Sequence, residues 1–229
     1  MKRFVLFDID GTLIDPGGAG RRSVTQAFAT VFSISDAFAG IAMDGKTDIQ
    51  IIKEGLSAHR LPAGGRVMSS IVAEYVKNLK KEIKNKTKHL LPGVHELLNT
   101  LQRTDGYWLG LLTGNIQQGA RLKLGPFGLN GYFPVGAFGD DHEDRNKLLP
   151  VAVQKLNTAK GIGMDYHDCI VVGDTPLDVQ CAKPYGATSI AVATGPYSYN
   201  ELLQTDADYV VKDLSRAISL FTSPDLKHS

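Results

Sequence analysis

Asp8 and Asp10 stand two positions apart at the end of an apolar run, "RFVLFDIDGTLID" over residues 3–15. An ionised carboxylate taken away from water is costly unless a partner or a metal compensates it. A buried strand that finishes in two acids therefore needs a cation, or a reaction, at its end. Residues i and i+2 of a strand point to the same side, so both carboxylates, or one carboxylate and the next backbone carbonyl, reach one place. Two further apolar runs end in the same way. "YWLGLL" (107–112) is followed by Thr113, Gly114 and Asn115, and "CIVVG" (169–173) by Asp174, with Asp178 four positions later. A set of oxygen ligands without His or Cys suits Mg²⁺, which takes a few carboxylates and leaves the remaining positions to water and phosphate. Gly11 allows a sharp turn, and Gly114 and Gly173 allow close backbone approach to a ligand. One Asp-Gly strand end is equally well a simple turn. The ordered recurrence of "LLTGN" and "VVGDTPLD" after similar runs is what separates this chain from that reading.

The elements that must carry these residues can be read from periodicity. "FVLF" (4–7), "YWLGLL" (107–112), "CIVVG" (169–173), "TSIAVA" (188–193) and "DYVV" (208–211) are predicted strands, and "YFPVGAF" (132–138) is a weaker sixth. Helical patterns lie between them in "PGVHELLNTLQR", with Pro92 placed in a first helical turn, and in "NKLLPVAVQKLNTA", "PLDVQCAK" and "DLSRAISLF". Strand alternating with helix predicts an α/β, Rossmann-like fold, a parallel sheet covered on both faces. Ligands of such a sheet bind beyond the carboxyl ends of its strands, where the acids and Thr113 would converge. Residues 16–88 break the rhythm with three helical patterns and no strand, "RRSVTQAFATVF", "KTDIQIIKEGLSAHR" and "RVMSSIVAEYVKNLKKEIKNK". The expected division is a core of 1–15 and 89–229 and an all-helical insert of 16–88.

Length and composition narrow the function classes. A chain of 229 residues, 43% hydrophobic and 21% charged, can bury a large core with an insert. A net charge of +1 gives no electrostatic reason to expect nucleic acid or an anionic membrane as partner. No stretch approaches the roughly 18 apolar residues of a membrane span, and the chain is read as cytoplasmic. Cys169 and Cys181 lack zinc or secreted-disulfide spacing and are expected as buried thiols. The lysines between Lys77 and Lys88 are read as a solvated helix face. "GGAGRR" lacks P-loop spacing and reads as a hinge.

The motifs resemble the haloacid dehalogenase superfamily of hydrolases, and within it the phosphoglycolate phosphatase-like group. The DxDGT strand end is Asp8-Ile9-Asp10-Gly11-Thr12, the strand-terminal hydroxyl is Thr113, and the GDxxxD motif runs from Gly173-Asp174 to Asp178. The resemblance implies a HAD-like core with a first-type helical cap over 16–88, to which "LLPGVHELLNTL" would be the return. It also implies Asp8 as nucleophile forming an aspartyl phosphate, Asp10 as general acid and base, and Mg²⁺ held by Asp8, the Asp10 carbonyl and Asp174 and supported by Asp178. Thr113, Gly114 and Asn115 would hold a phosphoryl oxygen. The presence of Asp10 separates the chain from the metal-free dehalogenases. The family's basic residue is usually a Lys followed by Pro. Here the segment is "DDHEDRNKLLP", which leaves Arg145 and Lys147 as rivals, while His142 reads as a solvent-facing loop residue. Lys46, in "MDGKTD", and less so Arg21 and Arg22, are candidate substrate contacts from the cap. The implied activity is hydrolysis of a small phosphomonoester, phosphoglycolate-like or a sugar phosphate, by a monomer or homodimer. A phosphomutase of the β-phosphoglucomutase type and a non-catalytic phosphate-binding protein are the alternatives.

Overall fold

Side chains of β1 (Arg3–Phe7) alternate between two cores, which makes this strand the centre of the molecule. Val5 and Phe7 pack on one face with Leu97, Leu98, Leu101 and Phe221, while Phe4 and Leu6 pack on the other with Leu148, Leu149, Leu156 and Cys181. The computed structural model describes residues 2–222. After β1 the elements run β2 (Ile14–Asp15), α1 (Ala19–Phe32), α2 (Asp48–Ala58), α3 (Gly65–Glu82), β3 (His89–Leu90), α4 (Val94–Arg103) and β4 (Tyr107–Leu112). They continue as α5 (Gln117–Leu124), β5 (Val135–Ala137), α6 (Leu148–Lys160), β6 (Cys169–Gly173), α7 (Pro176–Ala182), β7 (Thr188–Val192), α8 (Tyr199–Leu202), β8 (Tyr209–Val211) and α9 (Leu214–Thr222).

Six strands form one sheet in the order β5-β4-β1-β6-β7-β8, every neighbouring pair parallel. The strands read as near-continuous apolar runs because helices cover both faces. On the first face, α4 buries Val94, Leu97, Leu98 and Leu101, one stripe at helical spacing. The order reverses at β1, which pairs with β4 on one side and β6 on the other, so the ends of these three strands open onto one crevice. β2 and β3 form a separate antiparallel ribbon where the chain leaves the core and returns to it. Between them, α1, α2 and α3 enclose their own apolar cluster around Phe28, Ile52, Ile71, Tyr75 and Leu79, to which Ile116 of the core also belongs. Among the described residues no helix is long and apolar enough to cross a membrane. Cys169 and Cys181 are buried free thiols.

The sequence reading differs from the structure at element ends. The weak strand over 132–138 shrinks to Val135–Ala137, because Leu129–Tyr132 forms a tight 3-10 turn. Pro92 precedes α4 instead of opening it, since Gly93 takes the helix-capping position with φ +82°. A Cβ on Gly93 would lie 2.0 Å from the backbone nitrogen of Ser215 in α9. Gly128 has a similar φ of +69° but no atom within 4 Å of its Cβ position. Gly128→Ala is expected to show roughly 1–2 kcal/mol of backbone strain alone. Gly93→Ala is expected to lose about 1–3 kcal/mol more, because the methyl must also displace main chain. Urea unfolding measures both, and equal losses would mean that α4 and α9 can part without penalty.

Candidate active site

The first acid is set by the turn that follows β1. Gly11, at φ +80°, donates its N–H to Ile14 O at 2.9 Å, and the N–H groups of Leu13 and Ile14 return to Ile9 O. This tight loop holds Asp8 and Asp10 at the strand end, with Asp8 N bonded to Val172 O of β6. Asp174 follows β6 and accepts a 3.0 Å bond from Thr12 Oγ1. Asp8, Asp174 and Asp178 are buried and offer carboxylate oxygens within 4.8 Å of one another. Three hard oxygen donors so close, with no nitrogen or sulfur donor among them, fit a divalent cation of the Mg²⁺ kind.

Asp178 belongs to this cluster and makes protein contacts as well. Its Oδ2 accepts from Thr175 N (3.0 Å) and Thr175 Oγ1 (2.7 Å), closing a capping box at the start of α7, and its Oδ1 accepts from Arg145 Nη2. Both oxygens are thus occupied by protein donors, so Asp178 holds Arg145 as much as any cation. Arg145 also lies 3.2 Å from Asp8 Oδ1 and donates to Gly45 O at 3.0 Å. It is 5% exposed. A single 3-10 turn over Arg145–Lys147, capped by Asp144, directs Arg145 inward and leaves Asn146 and Lys147 exposed. Lys147, the rival basic residue, reaches none of the acids and does not line the cavity. His142 is an exposed loop residue whose Nδ1 accepts from Asp144 N.

Asp10 is served by residues that the sequence reading did not combine. Its Oδ2 accepts from Asn115 Nδ2 at 2.8 Å and from Lys123 Nζ at 2.5 Å. Asn115 also donates to Thr113 Oγ1 at 2.9 Å, so its amide links the strand-end hydroxyl to Asp10. Lys123 lies on α5, a helix whose segment "QQGARLKL" carries too little apolar content to announce itself. The available signal was spacing: Asn115 and Lys123 are eight positions apart, roughly two helical turns. Asp48 and Tyr75, from α2 and α3, were also missed, and both line the same cavity of about 490 Å³ as Asp8, Asp10, Lys123 and Arg145.

The helices of the insert are seated on the strand ends. Asp48 N donates to Gly114 O at 2.7 Å, Asp48 Oδ2 accepts from Ile116 N at 2.9 Å, and Thr47 Oγ1 donates to Glu143 O at 2.7 Å. A Cβ on Gly114 would fall 2.1 Å from Lys46 O, so only glycine permits this approach. Lys46 itself pairs with Glu54 at 2.6 Å while lining the cavity. Arg21 donates to the carbonyls of Phe38 and Ile41, and Arg22 to Glu82 and Gly17 O.

Burial governs the electrostatics. It pushes Asp8 up to about 6 despite the nearby Arg145, with Asp178 and Asp10 adding to the rise. Asp174 is raised well above its ordinary value by burial and by Asp178 and Asp8. For Lys123, burial opposes the charge, but Asp10 and Asp48 outweigh it and raise the ammonium above its ordinary value. Arg145 is raised likewise, by Asp178 and Asp8 against burial.

Residues 5–192 match the family model described as haloacid dehalogenase-like hydrolase. A probable phosphatase, IndB, of Dickeya dadantii is 27% identical over 95% of this chain and 93% of its own. A phosphoglycolate phosphatase of Xylella fastidiosa is 28% identical over 92% of this chain and 89% of its own. Among solved structures, that of a predicted phosphatase from Clostridium acetobutylicum superposes with a TM-score of 0.71 over 97% of this chain and 99% of that one, at 22% identity, and shares the fold.

The acid cluster makes a thermodynamic prediction. Asp8 has a folded value near 6 against 3.8 unperturbed, so the stability its neutral form contributes is present below 3.8 and is lost as pH rises through about 6. Thermal unfolding in chelator is expected to show stability falling across that window, with Mg²⁺ raising the melting temperature most at neutral pH. Asp174→Asn is expected to melt higher than wild type in chelator and to gain little from Mg²⁺. A gain from Mg²⁺ equal in both proteins would remove Asp174 from the cation site.

Proposed function

Because the chain belongs to the haloacid dehalogenase-like hydrolases and is a phosphatase of that family, we propose that it hydrolyses a small phosphomonoester with Mg²⁺ through an aspartyl phosphate. One observation carries this reading: a single cavity pairs Asp8, held beside Arg145, with Asp10, held by Asn115 and Lys123. On this reading one carboxylate attacks and the other moves a proton.

Asp8 attacks phosphorus in line, and the bond from phosphorus to the leaving oxygen breaks. The leaving oxygen keeps the electron pair and takes a proton from Asp10. In the second half, Asp10 accepts a proton from water as the water oxygen bonds to phosphorus, which releases inorganic phosphate and restores Asp8. Arg145 offsets the repulsion between Asp8 and a phosphate dianion. Thr113 and the Gly114 N–H serve a phosphoryl oxygen, while Asn115 serves Asp10. Asp8, the Asp10 carbonyl and Asp174 are the groups to hold Mg²⁺, whose chemistry there is to neutralise charge on the transferring group. Residues 16–88 act as a cap that excludes bulk water and touches the leaving group, with Lys46 at its edge. The substrate class is a phosphorylated metabolite such as a phosphoglycolate-like acid or a sugar phosphate.

Phosphate release from a panel of phosphomonoesters tests the reading. Turnover is expected only with Mg²⁺ and is expected to vanish in Asp8→Asn. A folded, Mg²⁺-binding protein that turns over no ester but converts a sugar phosphate when given its bisphosphate would be a mutase instead. Arg145→Met is expected to lower kcat/KM by about 100-fold or more, whereas Lys147→Met stays within about threefold of wild type.

A further inference from the structure

A buried lysine beside the proton-transfer residue needs an explanation. Lys123 is 4% exposed, and burial of an ammonium is unfavourable unless it is paired and hydrogen-bonded. Its Nζ meets Asp10 Oδ2 at 2.5 Å and Asn115 Oδ1 at 2.6 Å. Asn115 Nδ2 meets that same Asp10 oxygen at 2.8 Å. Asp10 Oδ2 therefore receives two donors, one of them charged, while Asp10 Oδ1 is buried with no hydrogen-bond partner. A buried carboxylate oxygen left without a donor is costly, so such groups are ordinarily satisfied on both oxygens. This one has a fully occupied oxygen and a vacant one, and it lines the cavity.

The surroundings of Lys123 keep it in place. A Cβ at Gly20 of α1 would sit 3.3 Å from Nζ, so the helix backbone closes over the ammonium and excludes solvent. Asp48 acts on the ammonium through space and is itself fixed by Ile116 N. Core and insert thus both fix the position of one side chain.

We propose that Lys123 is a positioning residue for Asp10: with Asn115 it clamps Oδ2 and so assigns Oδ1 as the oxygen that exchanges the proton with the leaving group. The assignment rests on the phosphatase reading above. In the first half-reaction the phosphorus–oxygen bond breaks, its electron pair stays on the leaving oxygen, and the proton on Oδ1 passes to that oxygen. The negative charge left on Asp10 then lies against the Lys123 ammonium. In the second half, the attacking water returns a proton to Oδ1 as its oxygen bonds to phosphorus, and the bond from phosphorus to Asp8 breaks with its electron pair returning to that carboxylate.

The consequence depends on the leaving group. An alkoxide cannot depart without a proton, whereas p-nitrophenolate can, so loss of Asp10 alignment affects alkyl esters most. The test compares kcat/KM, which reports formation of the aspartyl phosphate, for an alkyl phosphate and for p-nitrophenyl phosphate in wild type, Lys123→Met, Asp10→Asn and the double variant. The loss in Lys123→Met is expected to be larger for the alkyl ester by a factor of about 30 or more, within the range that general acid catalysis supplies. For the alkyl ester, the double variant is expected to lose no more than Asp10→Asn alone, within a factor of about three, because Lys123 acts through Asp10. Should Lys123→Met fail to fold, Asn115→Leu removes the other donor to Oδ2 and is expected to show the same split. Equal losses on both esters, or full additivity in the double variant, would overturn the assignment while leaving the phosphatase reading intact. Absence of wild-type turnover on both esters would overturn the phosphatase reading and the assignment with it.

Discussion

Like charges held close together out of water are the constraint on which this structure turns. Asp8, Asp174 and Asp178 lie within 4.8 Å of one another at the carboxyl edge of the sheet. Left to themselves, such groups repel and resist burial. The chain answers with one guanidinium. Arg145 lies against Asp8 and donates to Asp178, and Asp178 is in turn tied down by the N-terminal turn of α7. The planar fork of Arg suits two acids at once in a way that a lysine point charge would not. The strands converge on that edge because β1 is flanked by β4 and β6, so the topology creates the crowding and Arg145 makes it tolerable.

The second cation works at a different level. Lys123 is in contact with Asp10 from α5, and it is enclosed by helices α1 and α3 of the insert together with Asp48 of α2. The charge balance around Asp10 is therefore shared between core and insert, whereas the balance around Asp8 lies mainly within the core. Gly114 is the point where the two meet, since its carbonyl accepts from Asp48 N and its missing side chain admits Lys46 O.

Much of this was legible in the sequence because it was carried by strand ends. A parallel strand buried on both faces is an unbroken apolar run, so the first polar residue after it marks the ligand edge. Asp8, Asp10, Thr113 and Asp174 were singled out in that way, and all four lie at the strand ends around β1. Side chains that arrive from helices gave no such signal. Lys123 looks like any basic residue on a short polar helix, and only its burial reveals it. The choice between Arg145 and Lys147 depended on a single 3-10 turn, a boundary feature that periodicity does not resolve. Asp178 was read as metal support because the GDxxxD resemblance implies it. The Thr175–Asp178 pair was also a capping box, a pattern open to reading in advance.

The ribbon of β2 and β3 sets Asp15 opposite His89, so the helices between them begin and end side by side. A segment whose two ends already touch leaves the strand order of its host undisturbed, and the closure entropy it costs grows only slowly with its length. What ties the segment to the acids is the seam of Asp48 on Gly114, Gly45 on Arg145 and α1 over Lys123, so length can change away from that seam without touching the sheet edge. The helices beyond the seam and the strand ends beneath it are thus free to change at different paces.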